Sequence, residues 1–224
     1  MKKLLTIALT SAALLSAENG TSKRLQEAAT TINEMMGAED KGIPQDLLNS
    51  STCAIIVPGV KKGAFIFGGK YGRGFMTCRN DNGIGWKAPA GVRVEGGNFG
   101  FQIGGSETDV IMLVKSRKGA EKLMQSKFTL GADASVAGGP VGRTTSAQTD
   151  VQMRAEILSW SRARGVFAGV ALDGATMRED KQANQELYGK ELSSKEVLNT
   201  PHKVPQSANR FVAALTKYSG RGGK

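Results

Sequence analysis

The chain has 224 residues, 40% of them hydrophobic, so it can bury a sizeable core, and an intrinsically disordered chain is excluded. Glycine (29 residues) far outnumbers proline (6 residues), which indicates strands, turns and close backbone contacts rather than a flexible low-complexity chain. The formal charge of +10 predicts an anionic partner, but charge alone does not choose between nucleic acid, acidic lipid head groups and an acidic polymer.

The first seventeen residues have the layout of a secretory signal peptide. Lys2 and Lys3 precede an uncharged, mostly apolar run from residue 4 to residue 15, and two small residues follow it. A run of this length is too short to span a bilayer comfortably, since a span needs about 20 residues. We therefore predict a signal peptide at 1–17 and a single mature domain at 18–224, exported to the periplasm or secreted. The alternative is an N-terminal core helix.

An amphipathic helix is predicted from Ser22 to Met36, with a short second helix beginning near Pro44. Its apolar side chains follow the spacing of one helical face: Leu25, Ala28, Ala29, Ile32, Met35 and Met36. Lys23 and Arg24 lie on the polar face. Two interpretations of the apolar stripe stay open: it inserts into a membrane interface, or it packs on the protein's own sheet.

Strand character begins at Thr52. The predicted strands are Thr52–Val57 (ending at Pro58–Gly59), Gly63–Gly74 and Phe75–Arg79 with glycine bends, then Ile84–Lys87, Val92–Ile103 and Asp109–Val114. Asn80–Gly83 is a turn signal. These segments predict a glycine-broken, strongly curved sheet.

The second half of the chain alternates between the two patterns. A helix is predicted for Ser116–Ser126, with Ser116 as its N-cap candidate. Strands are predicted for Phe128–Val136, Val151–Trp160 and the buried Gly165–Leu172, a polar helix for Thr176–Leu187 and an amphipathic helix for Pro205–Tyr218. The predicted fold class is α+β: a strongly curved antiparallel sheet or partial barrel with flanking helices.

Cys53 and Cys78 are the only cysteines, and both fall in predicted strands. In an exported protein such a pair can form a disulfide; the alternative is two buried free thiols. Two cysteines and one histidine without local clustering do not make a metal site.

Four blocks in order resemble the SYLF domain family: Cys53–Gly74, Gly85–Val114, Phe128–Arg143 and Ser159–Ala175, the last followed by an asparagine–tyrosine stretch at Asn184–Tyr188. The resemblance spans about residues 21 to 218. It implies phospholipid binding, because eukaryotic relatives bind phosphoinositides through an N-terminal amphipathic helix and basic residues. Some relatives also bind actin. This chain departs from them in its export signal and in lacking an appended partner-binding domain, so we do not expect it to meet cytoplasmic actin.

Basic residues supply the candidate lipid contacts. One cluster lies around the first glycine-rich hairpin and a second on the helix near residue 120, and the first helix is the third candidate. The predicted lipid-binding residues are Lys23, Arg24, Leu25, Ile32, Lys61, Lys62, Lys70, Arg73, Arg117, Lys118 and Lys122. Ordinary solvated side chains are the alternative at each position.

Enzyme, cofactor and nucleic-acid roles find little support in the sequence. His202 is the only histidine and lacks a nucleophile context, so a solvated loop residue is expected. The carboxylates near glycine turns are expected to cap or hold turns: Asp109, Asp133, Asp150 and Asp173. GGKYGRG fits neither a dinucleotide fingerprint nor a phosphate-binding P-loop. Aromatic residues are only 6% and do not interleave with Arg and Lys, which argues against a base-stacking platform.

Two hypotheses follow from these patterns. The first is a non-catalytic protein, peripheral to the membrane, that docks on acidic phospholipid. The second is an envelope structural or protein-interaction scaffold with an acidic or actin-like partner. Neither needs a cofactor or a metal, and a protein partner is not identified.

Overall fold

The computed structural model describes residues 20–38, 42–65, 67–98, 106–142, 149–163, 166–170 and 172–220. The helices are α1 (Gly20–Gly37), α2 (Gln45–Ser50), α3 (Arg117–Leu123), α4 (Asp150–Arg154), α5 (Lys181–Tyr188), α6 (Ser194–Asn199) and α7 (Asn209–Tyr218). The strands are β1 (Cys53–Phe65), β2 (Phe67–Cys78), β3 (Ala90–Asn98), β4 (Ser106–Val114), β5 (Lys127–Thr129), β6 (Val136–Gly138), β7 (Ile157–Ala163), β8 (Val166–Gly169) and β9 (Thr176–Glu179). The predicted signal peptide lies outside the described residues.

All nine strands belong to one sheet in the order β5-β9-β3-β2-β1-β4-β7-β6, with β8 added beside β7. Neighbouring strands are antiparallel except β6 and β7, which are parallel. The sheet curls into a half-barrel, because long, glycine-containing central strands twist strongly. The predicted α+β class with a strongly curved sheet is confirmed.

The sheet separates two apolar cores. The concave side holds Ile55, Met76 and Met112 and is closed by α3 and α6. The convex side holds Ile56, Phe75 and Trp160 and is covered by α1, α2 and α7. Alternate residues of each central strand therefore enter opposite cores, so both faces are apolar at the middle of the sheet.

Strand β1 continues through Pro58–Gly59, where the sequence predicted its end. The register with β4 shifts between Val57 and Val60, so Pro58 and Gly59 form a bulge. Gly59 adopts φ +58°, and its N–H donates to Asp109 Oδ1 at 2.9 Å. A carboxylate on the neighbouring strand thus stabilises the bulge, which is the turn-holding role expected of Asp109.

Cys53 and Cys78 lie directly opposite each other on β1 and β2. Their Sγ atoms form a disulfide at 2.02 Å, and both residues are buried on the concave side. Within the described residues no cysteine is left free.

Several predicted elements are wrong in type. Val151–Trp160 was expected to be one strand, but its first residues form α4, which begins with a capping box between Thr149 and Gln152. The short apolar pattern there did not distinguish a helix from a strand. Within the predicted buried strand Gly165–Leu172, the described strand is Val166–Gly169, and it is a largely exposed edge strand. Thr176–Glu179 is a strand that precedes α5. Ile84–Lys87 contributes only one isolated bridge, from Trp86 to Arg79.

The asparagine–tyrosine stretch stabilises the fold. Asn184 is buried; its Oδ1 accepts from Gly91 N at 2.7 Å, and its Nδ2 donates to Leu192 O at 2.8 Å. The Tyr188 hydroxyl donates to Pro89 O at 2.6 Å, and burial raises the pKa of this phenol. The ring of His202 packs against Tyr188, so this histidine is a packing residue rather than a freely solvated one. Together these contacts join α5 to the start of β3.

Tyr188→Phe is expected to lower the free energy of unfolding by about 1 kcal/mol, because it removes a half-buried hydrogen bond and leaves the Pro89 carbonyl without its donor. Urea denaturation measures the change. Tyr71→Phe is the matched control, since Tyr71 is exposed. Equal midpoints for the two variants would contradict the assigned role of the Tyr188 hydroxyl.

Candidate functional site

The two predicted basic clusters lie at opposite ends of the sheet. Lys61 lies near the tip of the β1–β2 hairpin, whereas α3 follows Val114, which is directly opposite Cys53 at the start of β1. Eight residues of β1 separate the two ends, or about 25 Å at 3.3 Å per residue. A flat membrane that docks at one end of the sheet therefore cannot contact the cluster at the other end at the same time.

At the hairpin end, the lysines point to different faces of the sheet. Lys61 lies opposite Tyr71 on β2 and opposite Glu107 on β4, on the convex face. Lys70 reaches the concave side, where it borders a small apolar cavity with Val60 and Val94. The side chain of Lys62 lies outside the described residues. Lys62 is paired with Lys70 in the register of β1 and β2, whereas Lys61 lies directly opposite a carboxylate.

Arg73 has a structural partner and is not a free lipid contact. Its Nη2 donates to Asp180 Oδ1 at 2.9 Å, and its Nε donates to the other carboxylate oxygen. The hydrogen bond to Asp180 raises the pKa of Arg73. Arg24 on α1 lies nearby, and burial, together with the charge of Arg73, lowers the pKa of Arg24. The predicted contacts Arg24 and Arg73 are thus brought together around one buried carboxylate.

The apolar stripe of α1 packs on the protein's own sheet. Leu25 and Ile32 are 0% and 1% exposed, so in this conformation neither can contact a membrane, which corrects their assignment as lipid contacts. They bury apolar surface against Phe75 and Phe211 of the convex core instead. Lys23 remains exposed and makes a surface ion pair with Glu27.

The α3 cluster is held at the opposite end of the sheet. The Ser116 side chain caps α3 by accepting from Gly119 N at 3.0 Å, as the sequence predicted. Arg117 and Lys118 are exposed in the first turn. Lys122 is partly occupied, since its Nζ donates to Asp133 O at 2.7 Å and lies 3.6 Å from Glu156 Oε2.

Exposed apolar residues lie at the same end of the sheet as Arg117 and Lys118. Val151 and Met153 on α4 are 68% and 54% exposed, and Ile84 in the turn after β2 is 46% exposed. Lys115, immediately before α3, donates to Met153 O at 2.8 Å and thereby joins the two helices. We call this surface the α3–α4 end; it comprises Ile84, Arg117, Lys118, Val151, Met153 and the exposed Arg154.

Sequence reasoning found the cations of the α3–α4 end but missed its apolar residues. Val151 and Met153 were assigned to a strand. The Thr149–Gln152 spacing, a capping box, is the signal that would have placed them on a surface helix.

Metal and membrane-spanning features are absent from the described part of the chain. It contains no group of three or more His, Cys, Asp or Glu side chains arranged to hold a metal ion. Among the same residues, no helix has the length and hydropathy needed to cross a bilayer.

Comparison with known proteins identifies relatives of this chain. The profile of the Ysc84 family, described as "Las17-binding protein actin regulator", matches residues 95–218. The chain is 32% identical to an SH3 domain-containing protein of Schizosaccharomyces pombe, over 81% of this chain and 42% of the relative. It is 30% identical to Protein YSC84 of Saccharomyces cerevisiae, over 82% of this chain and 39% of the relative.

A human relative, SH3 domain-containing YSC84-like protein 1, is 27% identical over 80% of this chain and 52% of its own length. The chain thus spans between two fifths and about half of the length of these three relatives. Because the family profile covers more than half of the chain, the protein belongs to the Ysc84 family, whose shared module is the SYLF domain.

Proposed function

We propose that this protein is a non-catalytic, peripheral lipid-binding protein that docks on acidic phospholipid through the α3–α4 end. The observation that carries the proposal is the combination of exposed Val151 and Met153 with exposed Arg117 and Lys118 on neighbouring helices. Apolar side chains can enter the interface while the cations contact negatively charged head groups. The hairpin end offers a weaker combination, because Lys61 lies directly opposite Glu107.

Export is part of the proposal. A positively charged start and a short apolar run precede the domain, and Cys53 and Cys78 form a buried disulfide. Disulfides persist mainly in oxidising compartments. The protein would then act at the outer surface of a membrane or in the periplasm.

Replacing Arg117 and Lys118 with serine is expected to weaken binding to anionic vesicles by about 30-fold, because each cation near the membrane contributes about 1 kcal/mol. Co-sedimentation of the full chain with phosphatidylcholine vesicles, with and without phosphatidylglycerol, measures the change. Wild-type binding should require the anionic lipid and weaken with added salt.

Lys61→Ser with Lys70→Ser is the matched control, since it removes the same charge about 25 Å away, beyond the Debye length at physiological salt. Val151→Ser with Met153→Ser tests the apolar contribution and should weaken binding at high salt as well. Equal binding to neutral and anionic vesicles, or an equal loss in the Lys61/Lys70 variant, would refute docking through the α3–α4 end.

A protein-interaction scaffold is the second candidate. The description of the matching family, Las17-binding protein actin regulator, favours a protein partner for this module too. A groove of mixed charge between α1 and the β1 bulge suits such a partner better than a lipid; its charged residues are Lys23, Glu27, Glu107, Asp109 and Arg162. A double variant, Glu27→Gln with Glu107→Gln, should bind anionic vesicles like wild type. That result would show that the groove is distinct from the lipid-binding surface.

A further inference from the structure

Basic side chains form a continuous row across four adjacent strands of the convex face. Each lies directly opposite the next in the strand register, and we call the set the arginine row: Arg73, Arg93, Arg178 and Lys127. The sequence neighbours Val92, Met177 and Phe128 enter the concave core, which places the row on the other face. At a strand spacing of about 4.8 Å, the row spans roughly 14 Å.

Protein carboxylates neutralise the row only in part, since two of them face its four cations. Asp180 is already bound to Arg73. Glu95 is the shared partner of the next two arginines, with Oε1 3.7 Å from Arg93 Nη1 and Oε2 3.3 Å from Arg178 Nε. Like charges directly opposite each other destabilise a sheet, so this arrangement lowers the folding stability of the ligand-free protein.

One nitrogen of the Arg93 guanidinium lacks an acceptor. Its Nε is buried and has no hydrogen-bond partner among the described residues. An arginine offers five N–H donors in a planar fork, and buried donors are normally satisfied. Arg93 is therefore held in position with donors available to an external acceptor.

An open depression of about 450 Å³ lies over the row. Donor side chains outnumber carboxylates in its lining. The donors are Tyr71, Arg73, Arg93, Ser126, Arg178, Lys181 and Gln182, and the carboxylates are Glu179 and Asp180. Planar guanidinium forks match the geometry of phosphate oxygens and bind them through paired charge-assisted hydrogen bonds. We propose that the arginine row binds a ligand carrying two or more phosphate groups, with Arg93 and Arg178 as the central contacts.

This site is separate from the α3–α4 end and does not depend on vesicle docking. The phosphates could belong to a soluble polyphosphate or to neighbouring phosphatidic acid head groups on a vesicle surface, and both present several phosphate groups to the row together. Inorganic tripolyphosphate and vesicles containing phosphatidic acid are therefore the two probes.

Isothermal titration calorimetry of the full chain with tripolyphosphate and with orthophosphate tests whether the row binds a soluble polyphosphate. Wild type should bind tripolyphosphate at least about tenfold more tightly, because several guanidinium groups are engaged at once. Arg93→Gln and Arg178→Gln should each weaken that binding by about tenfold or more. Arg210→Gln, which removes an exposed arginine from α7, should leave it unchanged.

Thermal unfolding supplies a second readout. In phosphate-free buffer, Arg93→Gln should melt at the same temperature as wild type or higher, because one repulsive neighbour is removed. Wild type should be stabilised by tripolyphosphate and Arg93→Gln should not.

If tripolyphosphate fails to bind but phosphatidic acid vesicles bind in an Arg93-dependent manner, the ligand is a lipid head group and the assigned site stands. Unchanged binding of both probes by Arg93→Gln and Arg178→Gln, or an equal loss in Arg210→Gln, would overturn it. Arg117→Ser with Lys118→Ser should retain tripolyphosphate binding, so failure of the vesicle-docking proposal is distinguishable from failure of this one.

Discussion

Replacing Cys53 and Cys78 with alanine is expected to lower the free energy of unfolding by about 3 kcal/mol, one of the two largest effects that we expect. The disulfide closes a loop with a sequence separation of 25, which restricts the unfolded chain. It also joins the two central strands at the end from which the β1–β2 hairpin begins. Guanidinium denaturation without reductant measures the difference.

Dithiothreitol provides the control for this prediction. It should destabilise the wild type to a similar extent and leave the double-alanine variant unchanged. Alkylation of the protein as isolated from its cells tests export at the same time, because a disulfide-bonded pair resists alkylation under denaturing conditions. Two reactive thiols, and a wild-type stability indifferent to reductant, would indicate that the cysteines are free and the compartment reducing.

Local patterns predicted the helices and the long strands because their signals lie within a few residues. The 3.6-residue period of Leu25, Ala28 and Ile32 predicted α1 and its apolar face, but it did not decide whether that face packs on the sheet or enters a membrane. Ser116 three residues before Gly119 predicted the cap of α3. Pro58–Gly59, in contrast, indicated a strand end, and only the Asp109 carboxylate on the next strand allows β1 to continue through the bulge.

The candidate sites were less predictable, since they depend on strand order. Alternation of Val92 and Val94 with Arg93 and Glu95 predicts which side chains leave the core. It does not reveal that β9 lies beside β3 and places Arg178 opposite Arg93. Likewise, the two basic clusters are distinct in sequence, but only the register of β1 with β4 shows that they lie at opposite ends of the sheet.

Asp180→Ala is expected to lower the free energy of unfolding by about 3 kcal/mol, the second large effect. The Asp180 side chain is 4% exposed, accepts two hydrogen bonds from Arg73 and caps α5 through Ala183 N. Removing one member of a buried pair leaves the other charge uncompensated, which costs about 3–5 kcal/mol, and the lost cap adds about 1 kcal/mol. Because the Arg73 side chain is 22% exposed, solvent screening reduces the loss from the pair to about 2 kcal/mol, which together with the cap gives about 3 kcal/mol.

Asp180→Asn separates the two contributions, because the amide oxygen can still accept from Ala183 N while the charge is lost. Its destabilisation should be roughly half as large, and Arg73→Met combined with Asp180→Ala should recover part of the loss, since no charge is then left unpaired. A simple sum of the two single effects would show that Arg73 and Asp180 are not coupled.

The same asparagine variant links this carboxylate to the arginine row. With Asp180 neutral, the Arg73 guanidinium loses its anionic partner and the row gains an available cation next to Arg93. Tripolyphosphate should then bind Asp180→Asn more tightly than wild type even though the free protein is less stable. Weaker binding would indicate that Asp180 orients Arg73 for the ligand rather than competing with it.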